Sequence, residues 1–441
     1  MSTTKFHDVV VIGAGIAGVA AAASLAAKGH SVLVLEARPR LGGRIHSVKT
    51  EQGQTIDLGA QLIGDCQTRI SALVDQFQLT RVPLYDEGWT FHQDNERNTI
   101  SYKKGSSQPL SLLGQIDAAQ MLWRTGRKLT SFQQEIHRLD RVNAKDFIKD
   151  LGFTSEAVRA VSSHAEGEMC MSLADVSAYE LLHQLHCVGG VQGESNSAQW
   201  FLAEGMGAVV DGLAQPIQNQ ILCSSPVSGI SRVAGGYLIE CGDLSYRSNR
   251  VLITTPPQLY SQMGLTKLLP KERRGVIDGY RVGSVIKTIL VFERPWWRAL
   301  QASGRGLSRG GLFGSMIDAS PEHGRYGILV LFSTAADFSR LQHFSRAEDR
   351  CDQALRWIAE IAGQEVPKPI AAASTNWNSD PWSFGGYASR RAIGGWLAAV
   401  ELFSPYEGIH FAGTETADQW RGFAEGALQS AERAVSEMVV V

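Results

Sequence analysis

Three glycines and one acid near the N-terminus carry the first recognisable chemistry. In Asp8-Val-Val-Val-Ile-Gly13-Ala-Gly15-Ile-Ala17-Gly18, an apolar run ends in glycines spaced to hold a pyrophosphate. Gly13 permits a tight turn, Gly15 lets the backbone approach the phosphates, and Gly18 allows the next helix to pack closely on the sheet. Exposed amides at that helix start then face the phosphate charge. Glu36 follows 18 residues after Gly18, where a carboxylate suits the two free hydroxyls of an adenosine ribose and disfavours a 2′-phosphate. The expected ligand is FAD or NAD rather than NADP.

A second glycine-marked element lies at the far end of the chain. Ile409-His-Phe-Ala-Gly413-Thr414-Glu415-Thr416 precedes Trp420-Arg-Gly422-Phe423-Ala424-Glu425-Gly426-Ala427, while Leu41-Gly42-Gly43-Arg44 follows Glu36 near the start. Together they imply that both ends fold back on one dinucleotide.

The elements that must position these residues follow from pattern. Val9–Ile12 reads as a buried strand, Val19–Ala27 as the helix behind it, and Ser31–Leu35 as the strand that delivers Glu36. Thr55–Gly64 reads as a strand and glycine turn before a helix around Ile70–Gln76. From Ile116 to Leu173, apolar residues such as Met121, Leu122, Leu129, Phe132 and Ile136 recur at helical spacings. Gln220–Ile253 is β-rich and stops at Pro256-Pro257. Strand patterns return at Ser284–Phe292, Gly327–Phe332 and Ile409–Ala412, and a closing helix spans Gly426–Val435.

Lys287 lies inside Ser284-Val-Ile-Lys287-Thr-Ile-Leu-Val-Phe292, a cation among apolar neighbours. Desolvating an ammonium costs several kcal/mol unless it is paired or loses its proton. The site therefore reads as functional.

Composition bounds the rest. A chain of 441 residues with 44% hydrophobic content can bury a large core, enough for two or three domains. Its net charge of −2 shows no long run of either sign, so a nucleic-acid or anionic-membrane partner has no electrostatic footprint. The six cysteines are scattered, which fits reduced thiols and neither a disulfide framework nor a metal site. Val9–Ala27 is uncharged and long enough to cross a bilayer, but its glycines favour a buried strand and helix. Met1–His7 is too short and polar for a signal peptide, and Glu437–Val441 is too short for an anchor. A soluble, cytoplasmic protein without a membrane partner is expected.

These motifs closely resemble the flavin-containing amine oxidase family, which includes the monoamine and polyamine oxidases. The resemblance covers nearly the whole chain: the glycine fingerprint, Gly42-Gly43-Arg44, Asp57-Leu-Gly-Ala60, Pro226-Val227, Lys287, Trp377 with Gly385-Gly386, and Gly413 to Ala427. It implies an α/β plus α+β fold in which a Rossmann-like FAD-binding domain (1–85, 205–290 and 400–441) is interrupted by a substrate domain (86–204 and 291–399). Glu36 would hold the adenosine ribose, Arg44 the phosphate region and Val227 the adenine. Ala17, Ala37 and Arg38 complete that end of the cofactor set. Gly59, Ala60, Gln61 and Leu62 would lie beside the isoalloxazine, with Gly413, Thr414, Glu415, Gly422, Phe423 and Ala424 near the ribityl chain and ring. Lys287 would hold a water against flavin N5 and assist reoxidation by dioxygen.

The same resemblance exposes departures. Monoamine oxidases carry a flavin-bonding cysteine after the paired glycines, whereas Tyr387 and Ala388 stand here, so FAD is expected to be bound non-covalently. Ala388 and Phe423 occupy the places of two cage tyrosines, and Trp377, Trp382 and Tyr387 are expected to line the substrate cavity with them. A bulkier cyclic or secondary amine is expected, as in the 6-hydroxynicotine oxidases. Polyamine or primary monoamine oxidases, flavin desaturases and non-catalytic flavoproteins are the alternatives. Glu166, Glu168 and Glu194 are candidate tunnel acids for a polyamine, and His164, His183 and His186 are weaker site candidates. The carboxylate-clamping arginine of L-amino acid oxidases is absent from Gln61-Leu62. The expected reaction moves hydride from the amine α-carbon to flavin N5, and dioxygen or another acceptor takes the electrons, giving hydrogen peroxide with dioxygen. A homodimer is compatible with this reading.

Overall fold

The computed structural model describes residues 5–93, 99–103, 109–321, 325–398 and 401–439. The expected boundary at 399/400 lies outside them. So do Met1–Thr4 and the last two residues, on which the signal-peptide and anchor readings partly rest.

Val9 to Ile12 are at most 3% exposed, because the strand Lys5–Ile12 is sandwiched on both faces. It pairs in parallel with Val32–Leu35 on one side and with Leu244–Ile253 on the other. The seven-stranded sheet continues to Ile221–Leu222 at one edge and to the antiparallel pair Gly229–Val233 and Gly236–Cys241 at the other. Ile409–Phe411 adds in parallel to Leu244–Ile253, which carries the C-terminal motif to the N-terminal one. Helices Ile16–Ala27 and Ala424–Val439 share one apolar layer on this sheet, where small residues such as Ala21, Ala22, Ala431 and Ala434 allow close packing.

In a second seven-stranded sheet, Val285–Phe292 is buried throughout and lies antiparallel between Gly327–Thr334 and the edge strand Ala371–Asn376. Residues 285–290, expected with the nucleotide-binding part, thus pair in this second sheet. Period-2 alternation sends Ile286 and Leu290 toward helix Ala347–Ala362. It sends Ile289 and Val291 to the opposite face, toward Leu58 and Leu62. Lys287 belongs to that second face.

The helices expected over 116–173 begin earlier, at Leu112, because the Ser111 side chain caps the helix by accepting the Gly114 amide. With Ala144–Leu151, Ser155–Met169 and Ala178–Cys187, this helix encloses a third apolar cluster.

Candidate functional site

One cavity is lined by residues of both sheets and by both glycine-marked motifs. At one end stand Glu36, Ala37, Arg38 and Val227. Glu36 is 3% exposed, and its two oxygens accept the amides of Ala14 at 2.8 Å and Arg38 at 2.9 Å. The acid therefore fixes the glycine turn as well as facing the cavity. The Arg38 guanidinium is held by Asp380 and by Ser383 Oγ at 2.7 Å.

Gly13, Gly15, Ala17, Gly43 and Arg44 form the next stretch of wall. A Cβ on Gly15 would meet only the Gly42 carbonyl, at 3.9 Å, so the space before it is open to a ligand. Gly18 does not line the cavity. A Cβ there would sit 2.0 Å from the Gly13 carbonyl oxygen, so its role is to let helix and turn touch.

Arg44 Nη1 and Nη2 donate to Glu415 Oε1 at 2.7 Å and Oε2 at 3.0 Å, and Nη1 also donates to the Tyr387 carbonyl at 2.7 Å. Burial pushes the Glu415 carboxyl up, but the charge and bonds of Arg44 and the Ser389 amide outweigh it and hold it below the usual range. Glu415 lies behind Arg44, outside the lining residues.

The far end is built from Gly59, Ala60, Gln61, Leu62, Gly413, Thr414, Gly422, Phe423 and Ala424. Gly422 adopts φ +95°, and its amide donates to Thr414 Oγ1 at 2.6 Å, which fixes the turn before Phe423. Lys287, 3% exposed, donates from Nζ to the Gly59 carbonyl and to Gln61 Oε1, both at 2.9 Å, and lies 5.6 Å from the centre of the Phe332 ring. Burial lowers its pKa to about 8, with Asp57 opposing the shift.

Trp377, Trp382, Tyr387 and Phe423 line the same cavity. Trp377 is also core, 5% exposed with its indole N–H on the Leu58 carbonyl at 3.0 Å. Tyr387 is 38% exposed, while desolvation and the nearby Cys170 and Glu168 raise its phenol well above the ordinary value. Ala388, expected among the lining residues, is 1% exposed and is not one of them. It packs beneath Gly422, whose added Cβ would stand 3.8 Å from the Ala388 Cβ.

A long cavity with an acid at one end, a glycine cradle in its middle and a buried lysine at the other fits FAD. Residues 16–439 match the family of flavin containing amine oxidoreductases. The chain belongs to that family. Among relatives, it is 28% identical to an L-amino acid dehydrogenase of Synechocystis sp., over 100% of this chain and 96% of that one. It is 27% identical to the flavin-containing amine oxidase B of Sus scrofa, over 98% of this chain and 86% of that one. Among solved structures, wild-type putrescine oxidase bound to putrescine superposes with a TM-score of 0.92 at 24% identity, over 100% of both chains. This amine oxidoreductase therefore uses FAD and has the two-domain fold of its family. Among the described residues, no helix is long and apolar enough to cross a membrane.

Side chains that sequence spacing did not join also meet in the oxidoreductase. His164, Glu168 and Glu194 bring their ligand-type atoms within 4.8 Å of one another, a grouping that could hold a metal ion. His164 Nε2 lies 2.8 Å from Glu194 Oε1, which, opposed by burial, raises the imidazole to about 9 and makes it a cation paired to its acid at neutral pH. His183 is instead lowered to about 4 by burial and packs 4.3 Å from the Trp396 ring, a core role. Phe332 was not singled out in the sequence. It lines the cavity because it is the cross-strand partner of Lys287, a relationship that only strand register reveals.

Proposed function

We propose that this oxidoreductase oxidises an apolar, ring-containing secondary or cyclic amine with a single basic nitrogen, of the 6-hydroxynicotine kind, using dioxygen as electron acceptor. The observation that carries this reading is the charge of the cavity wall. Among the described residues, its one lining carboxylate is Glu36, at the adenosine end, while Phe332, which lies against Lys287, Tyr387 and Phe423 supply aromatic wall. A second ammonium, as in a diamine, would find no lining carboxylate there; Glu168, near enough to raise the Tyr387 phenol, is itself pushed toward its neutral form by burial. Glu194 is already engaged by His164. An amino-acid carboxylate would likewise meet Gln61 and Leu62 where a clamping arginine would be needed.

FAD held by these residues would supply the acceptor for hydride from the carbon beside the amine nitrogen. The chain's own residues hold and orient. Gly59 and Gln61 fix the Lys287 ammonium through two of its three N–H bonds, leaving the third for the cavity. The aromatic walls exclude water and favour the neutral amine. Positioning at short range supplies much of the rate, so wall geometry matters more than any acid or base side chain.

The reading is tested by mixing the enzyme anaerobically with a panel of cyclic, secondary and primary monoamines, diamines and L-amino acids and following the visible flavin absorbance. Rapid bleaching by ring-containing monoamines is expected. Preferential bleaching by diamines or amino acids would reject the substrate class, and no bleaching by any amine would reject amine oxidation.

A further inference from the structure

Two walls of the cavity are tied to one buried carboxylate on a helix that contributes no lining residue. Glu180, on Ala178–Cys187, is 0% exposed. Its Oε1 accepts from Arg390 Nη1 at 3.3 Å and from Arg421 Nη2, and its Oε2 accepts the Trp396 indole N–H at 2.8 Å. One turn on, Gln184 Oε1 accepts from Arg390 at 2.9 Å, and its Nε2 donates to the Arg421 carbonyl at 2.8 Å. Arg390 ends the strand Gly386–Arg390 that carries Tyr387, and Arg421 precedes the Gly422-Phe423 turn.

Two buried guanidiniums share this one carboxylate, and burial lowers both to about 10. Apolar residues of similar volume would hold these segments with less desolvation, so stability alone does not account for the cluster. Guanidinium–carboxylate contacts do fix direction and distance. We infer that Glu180 is a positioning residue that sets the separation of the Tyr387 and Phe423 walls and so aligns the substrate carbon. The inference rests on the reading above that the amine lies between those walls.

The test compares flavin-loaded wild type, Glu180→Gln and Gln184→Leu. In Glu180→Gln, the limiting rate of anaerobic flavin reduction is expected to fall at least about 10-fold. Reoxidation by dioxygen stays unchanged, and amide hydrogen exchange rises in 386–390 and 420–423 but not in 9–12. A purely structural role would lower the melting temperature without splitting the two half-reactions of the loaded enzyme. If Glu180→Gln fails to retain FAD, Gln184→Leu carries the comparison. Unchanged reduction in the loaded variants overturns the inference. Should no amine bleach the wild type, the oxidation reading fails on its own, and hydrogen exchange decides this inference: unchanged exchange in both segments removes it.

Discussion

Arg44 and Glu415, 371 residues apart in sequence, face each other in a two-pronged ion pair at 2.7 and 3.0 Å. The pair joins the N-terminal glycine motif to the C-terminal one at the cavity wall, and Arg44 also reaches the Tyr387 carbonyl. Three distant segments are thereby held in register around the cofactor space.

Removing one partner should hurt more than removing the charge of the other. Arg44→Ala leaves the Glu415 carboxylate buried and unpaired, a loss of about 3 kcal/mol. Glu415→Gln keeps one acceptor oxygen for Arg44 and should lose less. Because Glu415 titrates below its ordinary value, its contribution is present above the usual carboxylate pKa and is lost as pH falls through the lowered one. The acid limb of thermal stability should therefore flatten in Glu415→Gln. An acid limb identical to wild type would show that the pair contributes nothing.

Two glycines only three residues apart should respond in opposite ways to the same methyl group. Gly15→Ala finds room in the protein itself, 3.9 Å from the nearest atom, but extends into the open space of the glycine cradle, where the phosphates are expected. It should fold with an unchanged melting temperature when free of cofactor, yet retain little FAD. Gly18→Ala drives a methyl to 2.0 Å from the Gly13 carbonyl and should cost roughly 1–3 kcal/mol of apoprotein stability. Differential scanning of the apoproteins with the flavin-to-protein absorbance ratio separates them. Equal flavin retention by Gly15→Ala and wild type would place the phosphates elsewhere.

Glu36 offers a third check. Its oxygens hold the Ala14 and Arg38 amides, so Glu36→Gln replaces one acceptor oxygen with a donor that faces an N–H. FAD affinity should drop about 10-fold or more, a loss of roughly 1.4 kcal/mol, measured by equilibrium dialysis. Affinity equal to wild type would remove Glu36 from cofactor binding.

What the sequence made legible was local. The glycine turn, Glu36 and the strand holding Lys287 are set by spacing and alternation within a few residues. Register and exposure were not legible. Phe332 faces Lys287 only because two strands far apart in sequence pair antiparallel. In the helix Leu112–Lys128 the apolar pattern misleads, since Leu122 is 47% exposed and Leu112 75%, while Asp117 is buried at 0%. Asp117 is accommodated by the Phe153 and Thr154 amides and the Thr154 hydroxyl, partners that helical periodicity does not announce. Ala388 was misplaced for the same reason: its neighbour across the gap, Gly422, comes from another segment.

Lys287 carries the prediction that links stability to chemistry. Burial lowers its pKa from 10.5 to about 8, so the fold disfavours the ammonium. That penalty is full below pH 8 and is relieved as pH rises from 8 to 10.5, because the unfolded chain holds the extra proton across this window. Lys287→Met carries no such penalty. Its stability advantage over wild type, at most about 3 kcal/mol below pH 8, should shrink toward pH 10.5. The same variant should slow flavin reoxidation by dioxygen roughly 100-fold, the scale of losing one aimed donor, while reduction by amine changes little. In the wild type, reoxidation should decline as pH rises through about 8, as the donated proton is lost. Stopped-flow measurement of both half-reactions against pH checks the chain of argument. Equal slowing of reduction and reoxidation in Lys287→Met would leave the lysine as a structural residue of the cavity wall.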